Sequence, residues 1–298
     1  MTTAATDDQR DKSGWRPWHV VVAAVFVGLA VFAAWTAWAD IARLAARDEE
    51  SSQIWLAIPI CIYLVAVRSK RLTRAPQQHL WIGPALVGLG WAMMVVGDRE
   101  LWQSVWHAGA VVMAIGAALS LLGGSVARRI VPALLALAFL VPVPARVRHH
   151  IAIPMQQTVA STAAFTLNSV GTDVKLTGNV IIINGEQVAV AEACNGMRMT
   201  FALFAACYAL AFSLPLVPWV RLLILACAPL VAVVCNVIRI VPTVWLYGNA
   251  SDGLADFAHT AGGWVMLVIA FVVMLWLLKL LEKSELPIFR LPPRVAGA

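Results

Sequence analysis

Cys194 stands in the run Glu192-Ala193-Cys194-Asn195-Gly196-Met197-Arg198, where polar chain gives way to a long apolar stretch. A cysteine in an apolar chain is usually a small packing residue, and Cys61, Cys207 and Cys227 read that way. Cys194 differs in three respects. It falls at the expected N-terminus of a helix, where exposed N–H groups favour a thiolate. Arg198 lies one turn on and adds positive charge. Polar flanks leave the thiol open to water and substrate. Together these conditions make a thiol a nucleophile.

Two further residues are out of place in apolar sequence. Arg239, in Cys235-Asn236-Val237-Ile238-Arg239-Ile240-Val241-Pro242, falls inside a span. A guanidinium there costs several kcal/mol unless it is paired or faces a wet cavity. It is therefore either half of a structural ion pair, with Glu192, Asp252 or Asp256 as partner, or a functional group. Pro242 is expected to kink this helix and free backbone carbonyls. His259, in Asp256-Phe257-Ala258-His259-Thr260-Ala261-Gly262-Gly263-Trp264, is expected to open the last helix, where a lone histidine is more often a cap. An imidazole with a pKa of about 6.5 suits the base that a thiol nucleophile needs. A buried arginine can stabilise the oxyanion of a tetrahedral intermediate. The remaining histidines lack such context.

The elements that must position these residues are membrane helices. The chain has 298 residues, 61% hydrophobic and only 13% charged. A soluble domain carries roughly a quarter charged residues, so lipid must cover what water otherwise would. The net charge of +6 is spread in short basic runs between apolar segments, which sets membrane topology and argues against nucleic-acid binding. No CxxC or Cys/His spacing indicates a disulfide framework, a metal site or a cofactor. Stretches long enough to span about 30 Å of hydrocarbon lie near 19–39, 79–97, 101–123, 127–145, 194–214, 219–247 and 259–281, with a shorter one at 52–67. The run from His19 to Ala39 is too long for a signal-peptide core and reads as an anchor. The expected fold is an all-α polytopic membrane protein of about eight transmembrane helices.

Basic residues orient it. With the N-terminus in the cytoplasm, Arg10, Lys12 and Arg16, Arg68 to Arg74, Arg128 and Arg129, Arg221, and Lys279, Lys283, Arg290 and Arg294 fall inside. Only Arg43, Arg47, Arg99, Arg146, Arg148 and Lys175 fall outside. This predicts both termini cytoplasmic, with a long loop at 146–193 on the outer face. Cys194, Arg239 and His259 then lie toward that face on three consecutive helices. Within the loop, residues 151–169 read as an amphipathic interfacial helix. Ile153, Val159, Ala163, Phe165 and Leu167 would face lipid, and Gln156, Gln157, Thr158 and Ser161 water. Residues 179–190 read as a β-hairpin turning at Asn184-Gly185, with arms Val180–Ile183 and Gln187–Val190. The expected divisions are a disordered tail at 1–17, a four-helix bundle at 18–130, a catalytic core at 131–283 and a cytoplasmic tail at 284–298.

Over about 135–282 the sequence resembles the exosortase/archaeosortase family of membrane transpeptidases. The resemblance rests on Phe139-Leu140-Val141-Pro142-Val143-Pro144, Gly178-Asn179-Val180, the Cys194 run, Asn236-Val237-Ile238-Arg239, and His259 ahead of Gly263-Trp264. Asn195 and Met197 stand where the family usually has Ser and Leu. The resemblance implies a cysteine peptidase/transpeptidase in the cytoplasmic (inner) membrane. Its substrates would be membrane-anchored proteins with a C-terminal tripartite signal: a short motif often written PEP, a transmembrane helix and a basic cluster. Cleavage on the outer face would pass the new carboxyl end to an acceptor: water, a lipid or a polysaccharide. It also implies Cys194 as nucleophile, Arg239 as transition-state stabiliser and His259 as acid/base, with Arg198, Glu192 and Asn236 in support. Two other readings are a transporter whose arginines line an anion path, and a non-catalytic subunit of a polysaccharide export system.

Overall fold

The computed structural model describes residues 17–48, 51, 54–72, 81–190, 196–284 and 287–289. The N-terminal segment expected to be disordered, and Glu192, Cys194 and Asn195, lie outside the described residues. The chain forms two compact units, Met1–Pro144 and Ala145–Ala298.

The first unit holds α1 (Pro17–Ala33), α2 (Trp35–Arg47), α3 (Ile54–Leu72), α4 (Ile82–Arg99) and α5 (Gln103–Ala136), followed by a 3-10 turn at Leu137–Leu140. The segment expected as one anchor helix is broken at Ala34, where Val21–Ala33 and Trp35–Arg47 meet at 82°. The break follows the change in side chains. α1 is apolar from Val20 to Ala33, whereas α2 buries only Ala37, Ile41 and Ala45 at four-residue spacing. Asp40 of α2 accepts a hydrogen bond from Gln103 Nε2 (2.9 Å) and pairs with His107 Nε2 (3.0 Å) of α5. His107, one of the histidines without context in the sequence, is fully buried there.

The helix expected at 101–123 runs unbroken through Arg128 and Arg129 to Ala136 as α5 and takes in the first half of the one expected at 127–145. Val126, Ile130 and Ala133 are buried at helical spacing and carry the stripe across the supposed loop. Both arginines point outward, and Arg128 Nε reaches back to Gly124 O (3.4 Å). These two arginines therefore mark no inner loop. α4 and α5 meet through glycines. A Cβ on Gly90 would lie 2.6 Å from Gly109 O, and one on Gly109 2.6 Å from Gly90 O. Gly83, Gly90 and Gly97, seven residues apart, line the seam.

The second unit comprises α6 (Ala145–Ser169), a three-stranded antiparallel sheet and α7 (Gly196–Ser213), α8 (Pro218–Asn249) and α9 (Asp252–Lys283). The sheet order is β1 (Val174–Thr177), β2 (Val180–Ile183), β3 (Glu186–Ala189). Asn184 (φ 52°) and Gly185 (φ 92°) make the expected two-residue hairpin turn. Strand β1 was not foreseen. It joins β2 through a second two-residue turn at Gly178-Asn179, with Thr177 opposite Val180. Asn184 Nδ2 donates to Gly248 O (3.0 Å) and Asn249 Oδ1 (3.2 Å), fixing the sheet to the C-terminal end of α8.

The lipid-facing stripe expected on 151–169 divides. Ile153 and Phe165 are exposed, but Val159, Ala163 and Leu167 are buried against Ile181, Ile183, Ile240 and Val244. This stripe has a protein surface to cover, so it packs on the sheet and α8 instead of lipid. Gln156, expected in water, is half-buried and accepts from Asn179 Nδ2 (3.3 Å). A separate core joins α7, α8 and α9 through Leu203, Ile224, Ala228 and Met274.

Among the described residues, four helices are long and apolar enough to cross a membrane: Gln103–Leu122, Gly196–Ser213, Pro218–Asn249 and Gly253–Lys283. The broken pair α1–α2 makes five if it counts as one span. The molecule is thus a helical multi-pass membrane protein with a small sheet, and the count of eight spans is not reproduced.

Candidate active site

The site is built on α8. Its buried stripe runs Ala228, Ala232, Cys235, Asn236, Arg239, Ile240, Thr243 and Val244. Asn236 and Arg239 thus fall on the core face, three residues apart, and are 2% and 8% exposed. The helix continues through Pro229 and Pro242. Thr243 Oγ1 donates to Arg239 O (2.9 Å) just beyond Pro242.

Two close approaches place these side chains. A Cβ on Gly263 of α9 would lie 3.0 Å from Arg239 Nη1, and one on Gly262 would lie 3.4 Å from Arg239 Cγ. The arginine therefore lies along a bare patch of α9. These glycines are one helical turn beyond His259, which sits in the second turn of α9 because that helix begins earlier than expected, at Asp252. On the other side, a Cβ on Gly196 would lie 2.8 Å from Asn236 Nδ2 and 3.1 Å from Met155 Cε of α6. Gly196 is the first residue of α7 and stands two positions after Cys194. Arg198, in the first turn of α7, holds its guanidinium over the Trp264 ring at 5.8 Å, a cation–π contact.

Of the residues singled out in the sequence, Arg198, Asn236, Arg239 and His259 are thus carried by three helices of one unit, with Arg239 and Asn236 in the seam. Cys194 and Glu192 fall outside the described residues. Gly196, Gly262, Gly263 and Trp264 enter the sequence analysis only as parts of the quoted runs, without a structural role of their own. The run Gly262-Gly263-Trp264 was the available signal, since adjacent glycines inside a helix imply close approach.

The polar groups in the seam are under-satisfied. Asn236 Oδ1 and Arg239 Nε are buried without a hydrogen-bond partner among the described residues. Each such group costs about 1–3 kcal/mol until something bonds it. Among the described residues, Arg239 makes no ion pair. Asp256, one of the carboxylates considered for it, accepts instead from Tyr247 OH (2.7 Å). The other cysteines of this unit, Cys207, Cys227 and Cys235, are free thiols in helices α7 and α8. No three His, Cys, Asp or Glu among the described residues are grouped to hold a metal ion.

A buried donor and acceptor on one face, beside a turn that carries an imidazole, can bind and polarise a carbonyl group. Comparison with known proteins gives the arrangement its context. Neither the curated proteins nor the solved structures compared with the chain give a match. The model of the transmembrane exosortase family (Exosortase_EpsH) matches residues 38–276, well over half of the chain. The match includes the Cys194 run, the Asn236–Arg239 segment and His259, and the chain belongs to the transmembrane exosortase family.

Proposed function

We propose that this exosortase is a cysteine peptidase/transpeptidase that cleaves a C-terminal tripartite sorting signal and passes the new carboxyl end to an acceptor. His259 takes the proton of the Cys194 thiol, and the thiolate attacks the scissile carbonyl. The oxyanion forms against the Arg239 guanidinium, and His259 protonates the departing amine. The C–N bond breaks and a thioester to Cys194 remains. His259 then takes the proton of the acceptor nucleophile, which attacks the thioester and returns the thiol. The acceptor is water, a lipid or a glycan. Arg198 supports the thiolate by its charge, and Glu192 and Asn236 support the site.

The observation that carries this reading is the packing of Arg239 against Gly262-Gly263, one turn from His259. Asn236 meanwhile abuts Gly196, two residues from Cys194. The same seam would put developing negative charge beside a buried cation, where low dielectric strengthens the interaction. We place the site on the outer face of the cytoplasmic membrane with both termini inside. Lys279 and Lys283 at the far end of α9, and Arg221 at the start of α8, support that orientation. The eight-span count belongs to the same proposal.

The test is co-expression with a membrane-anchored reporter ending in a Pro-Glu-Pro motif, a hydrophobic span and an Arg-rich tail. Cys194→Ala and Cys194→Ser abolish its processing while the membrane protein still accumulates. Normal processing by both variants would leave the transporter or structural-subunit readings in place and this one refuted.

A further inference from the structure

Among the described residues, the oxygen of the buried Asn236 amide has no partner, and one turn on, the Nε of the buried Arg239 guanidinium has none. One group accepts and the other donates. In an extended peptide, the N–H and C=O of a single residue point to the same side, and a facing strand residue satisfies both at once. An acceptor and a donor on one helix face present the same complementary pair.

We propose that Asn236 and Arg239 form a main-chain clamp for the substrate, in which Asn236 Oδ1 accepts the N–H of one residue and Arg239 donates to its carbonyl oxygen. This rests on the reading of Cys194 as the nucleophile, and it assigns Asn236 a substrate contact. The clamp is held from both sides. Gly196 leaves just enough room for the Asn236 amide, and Gly262 and Gly263 leave room for the arginine stem and head. The clamp reads backbone, so it is indifferent to the substrate's side chains at that residue. It also requires that stretch of substrate to be extended, and it excludes proline at the clamped position, because proline has no N–H.

The experiment uses the full chain in lipid nanodiscs. The probe is a synthetic peptide with a Pro-Glu-Pro motif, a hydrophobic span and an Arg-rich tail. Amide bonds on the acyl side of the cleavage point are replaced one at a time by esters, which removes single N–H groups. In the wild type, one ester lowers kcat/KM by about tenfold, the scale of one buried hydrogen bond. In Asn236→Leu the same ester costs less than about twofold, because the acceptor is already gone. An ester penalty that survives unchanged in Asn236→Leu overturns the clamp, and it identifies Asn236 as a residue that only holds the chain ahead of Gly196. Asn236→Ala is the second variant. Should neither accumulate, the wild-type scan decides: no ester above twofold anywhere overturns the proposal. Cys194→Ala and Arg239→Ala run alongside on the all-amide peptide. If both cleave it normally, the catalytic reading fails and the clamp with it. If both are inactive while the ester penalty is independent of residue 236, the clamp alone fails.

Discussion

Gly263→Ala adds one methyl group to α9 and is expected to slow the enzyme while leaving it folded. The new Cβ would stand 3.0 Å from Arg239 Nη1. Comfortable contact between such atoms is about 3.5 Å, so the guanidinium must retreat by about half an ångström. A misplacement of about 1 Å can cost on the order of a hundredfold in rate, so roughly a tenfold loss of turnover is expected. Arg239→Ala, which removes the donor altogether, should lose about 10²–10³. Alanine is the better helix former, so the helix itself does not suffer. Gly262→Ala meets only the arginine stem at 3.4 Å and should be mild, and Gly253→Ala, with open space around its Cβ, is the neutral control on the same helix. The assay is the initial rate of reporter processing in membranes, normalised to the amount of folded enzyme. Equal rates for Gly263→Ala and Gly253→Ala, with Arg239→Ala inactive, would refute the view that the α9 glycines position the arginine.

Two predictions concern the first unit. Gly90→Leu forces a side chain into a seam where even a Cβ would lie 2.6 Å from backbone, so α4 and α5 must part. Overpacking of this kind costs about 1–3 kcal/mol or more, and a lower melting temperature in detergent with poor accumulation is the expected result. Leu101 follows α4 with φ 56°, and Trp102 N bonds Gly97 O (2.8 Å), which closes the helix in the way that favours glycine. Leu101→Gly should therefore raise stability by about 0.5–1 kcal/mol, read as a higher melting temperature, and a fall would contradict this account of the turn.

How much of this could be read beforehand depended on whether a signal was local. The hairpin turn was legible because Asn184-Gly185 dictates its own backbone. The family was legible because the Cys194 run, Asn236-Val237-Ile238-Arg239 and His259 ahead of Gly263-Trp264 resemble its motifs and stand in their order. The single helix α5 was not, because the basic pair Arg128-Arg129, counted on the inner side, divides the apolar run into two expected spans. Only the burial of Val126, Ile130 and Ala133 against other elements continues the helix there. The inward stripe of α6 was hidden for a related reason. An apolar face looks the same whether lipid or protein covers it, and no local spacing shows that β2 and α8 dock on this one. The His107–Asp40 pair joins residues far apart in the chain, so no spacing announces it. The seating of Arg239 was half legible: Gly262-Gly263 signals close approach without naming the partner.

The central claim is that Cys194 becomes acylated by the substrate. Rapid acid quenching of the wild-type enzyme during turnover of the tripartite reporter, followed by digestion and mass spectrometry, tests it directly. The account predicts a thioester joining the peptide that contains Cys194 to the reporter's new carboxyl end, released by hydroxylamine and accumulating when the acceptor is depleted. A processed reporter with Cys194 unmodified at every time point, or an acyl group on any other residue, would contradict it.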